Sequence, residues 1–208
     1  TFLAPCGAVF VAYIWASLLG VLQRVNILAA RRSEKSALVA SACQSLLVPR
    51  ELRVRIARYH SFISTHHNEE AYNALFSALS VNLLTELKLF LFRRLIREAS
   101  FLQICPAKVL AGIVNHFQEV VFSPGDIIIR YGEIGSEMFF IIKGVVEILG
   151  KDWGFVAHLS SGDYFGEVAL LLPHLKRTAW ARAKTYCVLA RLASEDFNFV
   201  LSLQDPNE

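Results

Sequence analysis

A chain of 208 residues holds one large domain or two small ones, and its 54% hydrophobic content and mean hydropathy of +0.43 exceed what an ordinary soluble core needs. A net charge of +3 from scattered Lys and Arg excludes the clustered basic surface of a nucleic-acid binder. Cys6, Cys43, Cys105 and Cys187 contain no pair at metal-ligand or redox-motif spacing, so no chemistry is assigned to them.

The apolar excess is concentrated at the front. Residues 2–22 carry no charge, and at about 1.5 Å per residue they reach roughly 30 Å, the depth of a bilayer's hydrocarbon. No basic region precedes them and no small-residue cleavage site follows, so the stretch reads as a membrane-spanning helix rather than a signal peptide, with Thr1 already inside the membrane and a buried core helix as the alternative. Arg24, Arg31, Arg32 and Lys35 come next and place everything after about residue 24 in the cytosol.

Helical spacing of apolar residues over 26–47 predicts a helix that breaks at Val48-Pro49, because proline disfavours helix for the residue before it. Pro49 suits the first position of a second helix, whose Leu52, Ile56, Tyr59 and Ile63 share one face. His66, His67 and Asn68 interrupt it. Adjacent histidines do not share a helix face and no third ligand is near, which argues against a metal site. Asn68 is predicted to cap a helix through Ala71, Leu75 and Leu79, and Ser80 to open another through Leu83, Leu84, Leu87 and Phe90 to Ile96. Residues 26–103 therefore form a helical connector without strands or a catalytic cluster, and Pro106 starts one more helix to about Phe117.

From Gln118 the period changes. EVVF, IIIR, MFFII, VVEIL and FVAHL alternate with turn segments such as SPGD, KG and GKDWG, as expected of an antiparallel roll or sandwich. One stretch, FGEVALLLPHLKRTAWARA over 165–183, breaks this rhythm. Gly166 and Glu167 precede a short helical run, VALLL, whose first backbone N–H groups would offer donors to an anion. Arg177 and Thr178 stand close enough in sequence for a short loop to return them to the same place. An arginine fork and a threonine hydroxyl suit a cyclic phosphate, and a glutamate suits a ribose 2'-OH, each charge-assisted bond contributing roughly 1.5–3 kcal/mol. The competing possibility is a plain surface pair between Glu167 and Arg177, worth about 0–1 kcal/mol.

SPGDIIIRYGEIGSEMFFIIKGVVEI, SGDYFGEVALL and KRTAWARAKTY together resemble the cyclic-nucleotide-binding domain family along the whole β-roll. The helical segment before them is similar to the C-linker of hyperpolarisation-activated and cyclic-nucleotide-gated channels. This resemblance implies an α+β chain: a transmembrane helix, an all-α C-linker, then an antiparallel, jelly-roll-like β-roll with flanking helices. Residues 1–24 would end the pore-lining helix, 25–103 form the C-linker and 104–208 the nucleotide-binding domain, with the family's lid helix falling beyond Glu208. It further implies a homo- or hetero-tetramer in a lipid bilayer, cAMP or cGMP as ligand, and neither a further cofactor nor nucleic acid as partner. Family contacts carry over to Gly166 and Glu167 for the ribose, to Arg177, Thr178 and the backbone of Ala169 for the phosphate, and to Ile148, Ala157 and Leu159 for the base. The loop Leu172-Pro173-His174-Leu175-Lys176 departs from the family by lacking a small residue before the arginine.

The function implied is that of a subunit of a tetrameric cation channel whose gating is modulated by cAMP or cGMP. Two alternatives stand beside it: an ether-à-go-go-like channel with a non-binding roll, and a soluble cyclic-nucleotide sensor such as a kinase regulatory subunit. No nucleophile, base and orienting residue lie at a spacing that suggests an enzyme.

Overall fold

A computed structural model describes residue 17 and residues 33–66, 75–172 and 174–203, with the side chains of residues 65, 66, 169 and 171 outside that set. Apart from Ser17, the predicted membrane span over 2–22 lies outside the described residues, as do His67 and Asn68. Among the described residues no helix is long and apolar enough to cross a membrane. The chain divides into two compact units between Ala71 and Tyr72.

The first unit contains helix α1 over 33–45 and α2, Arg50–His66. Leu47 sits in the left-handed region, φ 51°, and the Val48 N–H returns to the Cys43 carbonyl at 3.0 Å, which ends α1 where the Val48-Pro49 step predicts a break. The Pro49 carbonyl accepts the Arg53 N–H at 3.0 Å, so the proline immediately precedes the first helical residue.

The second unit opens with a helical turn over 75–78 (α3), then α4, Val81–Glu98. Ser80 caps α4, its hydroxyl accepting the Leu83 N–H at 3.4 Å, as its position in the sequence predicts. Two short helices follow, α5 (Ser100–Gln103) and α6 (Ala107–Asn115), the latter started by Pro106. Eight strands come next: β1 Gln118–Phe122, β2 Ile127–Ile129, β3 Glu137–Lys143, β4 Val146–Leu149, β5 Phe155–Leu159, β6 Tyr164–Phe165, β7 Trp180–Ala183 and β8 Cys187–Ala193. A single helical turn, α7 (Val168–Leu171), interrupts them, and α8 (Ser194–Ser202) closes the unit.

The strands pair antiparallel into two four-stranded sheets, β1-β8-β3-β6 and β2-β7-β4-β5, the antiparallel roll or sandwich expected from strand length and spacing. The sequence singles out neither β7 nor β8. Strand β8 reads CVLARLA, nearly continuous in apolar residues, because both of its faces are covered. On β3 and β8, Phe139, Ile141, Cys187 and Leu189 face an inter-sheet core shared with Ile129, Val146, Phe165, Ala181 and Ala183. The alternate residues, Met138, Phe140, Ala190 and Leu192, face a second core made with Leu95, Leu102, Val109, Ile113, Phe197 and Val200 of the helices. Phe140 is fully buried at the centre of that second core, its ring 5.1 Å from Phe117 and 6.0 Å from Tyr164. Helices α4 and α5, part of the connector in sequence terms, thus share a hydrophobic core with the roll.

Candidate ligand site

The site is built where β6 runs out and β7 begins. After Phe165, Gly166 takes φ +81°, a left-handed conformation that costs an ordinary residue about 1–2 kcal/mol. Glycine is required for a second reason. A Cβ here would lie 2.9 Å from Arg177 Nη1 and 3.1 Å from Ile129 Cδ1. The turn directs the chain into Glu167 and then α7, where the Leu170 N–H donates to the Glu167 carbonyl at 3.0 Å.

The return loop is pinned to the segment between β2 and β3. Ile134 and Lys176 form an antiparallel bridge, the Arg177 N–H donates to the Glu133 carbonyl at 2.8 Å, and the Gly132 N–H donates to the Arg177 carbonyl at 2.9 Å. His174 supplies the left-handed residue, φ 74°, in the loop that lacks a glycine. The loop length noted in the sequence is therefore sufficient to bring Arg177 back beside Gly166.

Arg177 is half-buried, and its guanidinium is held from two sides: Nη1–H donates to the Gly166 carbonyl at 3.1 Å and Nη2–H to the Glu137 carbonyl at 2.6 Å. Burial lowers its pKa, while the carboxylates of Glu137 and Glu167 act in the opposite direction. An arginine remains charged under these conditions, and the two bonds leave Nε–H and one hydrogen on each terminal nitrogen for another acceptor. The carbonyls thus aim the fork without neutralising it.

Gly166, Glu167, Arg177, Thr178 and Ile148 line one cavity of about 250 Å³. Ala169 lies within the α7 backbone, its side chain outside the described ones. Ala157 and Leu159 stand one strand further out, on β5, paired with Ile148 and Val146; Leu159 packs against the inter-sheet core, and neither is among the described lining residues. Ile129, Tyr164, Leu175 and Trp180 also line the cavity and were not singled out from the sequence. Trp180 falls inside the KRTAWARAKTY string, and its buried indole N–H has no partner among the described residues, while Trp153 stacks on it at 4.5 Å. Among the described residues no group of His, Cys, Asp and Glu could hold a metal ion.

The antiparallel roll brings an arginine and a glutamate to one cavity, and sequence comparison shows what the chain is similar to. Residues 119–203 match the family model described as cyclic nucleotide-binding domain. Over 200 residues, 95% of the chain, it is 32% identical to potassium/sodium hyperpolarization-activated cyclic nucleotide-gated channel 4 of Homo sapiens and 30% identical to channel 3 of the same species; channel 2 of Mus musculus is 32% identical over the same length. The chain is similar over nearly its whole length to hyperpolarisation-activated cyclic nucleotide-gated channels, as a helical segment followed by the cyclic nucleotide-binding domain. It spans 16%, 25% and 22% of the lengths of those three relatives.

Proposed function

We propose that the roll binds cAMP or cGMP and that the chain is the cytoplasmic end of a subunit of a tetrameric cation channel whose gating the nucleotide modulates. The observation that carries this reading is the convergence of Glu167 and Arg177 on one cavity at the Gly166 turn. The Arg177 fork would take the exocyclic phosphate oxygens with help from Thr178, Gly166 and Glu167 would take the ribose, and Ile148 would contact the base. Residues 2–22 would end the pore-lining helix in the bilayer, with the remainder cytoplasmic.

The energetics are adequate for gating. If the open conformer binds nucleotide about a hundredfold tighter than the closed one, each bound subunit favours opening by roughly 2.7 kcal/mol, and four subunits act together. Arg177→Glu is expected to abolish the nucleotide effect on current in patch recordings and leave basal conduction intact. An unchanged dose response would remove the site assignment. Calorimetry with both nucleotides separates the remaining case: no heat from the unmodified protein would favour a channel whose roll binds no nucleotide.

A further inference from the structure

A second acid besides Glu167 acts on Arg177 without lining the cavity. Glu137 opens β3, its carbonyl accepts Arg177 Nη2–H at 2.6 Å, and its carboxylate attracts the same guanidinium. Arg191 of β8 holds that carboxylate, Nη1 lying 3.2 Å from Oε2, and its Nη2–H donates to Gln118 Oε1 on β1. Phe139 is paired with Arg191 across the two strands, and Glu137 is two residues from Phe139. Glu137 and Arg191 therefore project on the face that Phe139 turns to the inter-sheet core, the side of the roll to which Ile129 and Phe165 of the cavity also belong.

This placement has an electrostatic consequence for an anionic ligand. An uncompensated Glu137 carboxylate would repel a phosphate arriving at Arg177 and would compete for the guanidinium's charge. Bonded to Arg191, the carboxylate is neutralised as a pair and kept on the β8 side. Both partners keep partial contact with water, 29% and 37% exposed, so the effect is moderated by solvent.

We propose that Arg191 is a positioning residue for the anion site: it cancels the Glu137 charge, so that the Arg177 guanidinium is left to face a cyclic phosphate. This inference rests on the nucleotide reading above. A purely structural bridge between β3 and β8 would act differently, because removing both partners would leave the bridge broken.

The test measures affinity for cAMP and for cGMP by calorimetry on the full-length protein in detergent. A nearby unit charge in a half-exposed site changes the affinity for an anion roughly threefold to tenfold. Arg191→Gln is expected to weaken binding by that factor, Arg191→Lys to keep near-normal affinity, and the double variant Arg191→Gln with Glu137→Gln to recover the unmodified value within about twofold. An Arg191→Gln protein that binds normally, or a loss that Glu137→Gln fails to restore, overturns the inference while leaving the nucleotide reading in place. If the unmodified protein binds neither nucleotide, both are overturned together.

Discussion

At the scale of single residues, Gly166 does two things that no other side chain can do at once. It adopts a left-handed conformation, and it leaves room for the Arg177 guanidinium against its own carbonyl. Gly166→Ala should therefore destabilise the protein by about 1–2 kcal/mol from backbone strain alone, and should also displace Arg177 and weaken nucleotide binding. Urea unfolding and calorimetry on the same variant check the two effects, and unaltered binding would show that Arg177 does not depend on this turn. In the sequence, Gly166, Glu167, Arg177 and Thr178 were legible because their chemistry is distinctive and a short loop joins them. Glu137 was not legible, since a lone acid at the start of an apolar run is ordinarily a solvated strand end. Trp180 was hidden differently: it lies in the recognised string, but only the paired strands show that its edge borders the cavity.

Among the elements, the sheet β2-β7-β4-β5 carries a charge cluster on its outer face. Glu147 of β4 accepts two bonds from Arg182 of the neighbouring β7, Nε at 3.2 Å and Nη2 at 2.8 Å, with His158 and Lys184 alongside. The Arg182 bonds, chiefly, hold the Glu147 carboxyl below its ordinary value of 4.5. A folded-state pKa below the unfolded one means that the stabilisation is complete above pH 4.5 and is lost as pH falls through the lower folded value. Glu147→Gln should flatten this part of the acid limb in urea unfolding measured across the range below pH 4.5, and an identical acid limb in the variant would refute the assignment. Helix boundaries such as the Ser80 cap and the Pro49 and Pro106 starts could be read in advance because each has a local cause. Strands β7 and β8 could not, because WARA and CVLARLA acquire their roles only from partners distant in sequence.

For the molecule as a whole, the proposed membrane location rests on the apolar run over residues 2–22 and on the similarity to channels, independently of the ligand site. The whole protein is expected to stay with the membrane fraction through carbonate washing. Release as soluble protein would refute the channel reading and favour a soluble nucleotide sensor. Composition distinguishes a helical segment from a β-rich one near residue 118, while the compact units divide between Ala71 and Tyr72, the apolar faces of α4, α5 and α6 sharing a core with the roll.

Strand β3 separates the two cores, with Met138 and Phe140 on one side and Phe139 and Ile141 on the other. A fragment trimmed to begin at β1 would keep only the α8 part of the helical cover, with Phe197 and Val200, and leave Phe140, Ala190 and Leu192 partly bared, a surface prone to self-association. A piece that keeps this surface covered consequently includes α4 from its Ser80 cap onward.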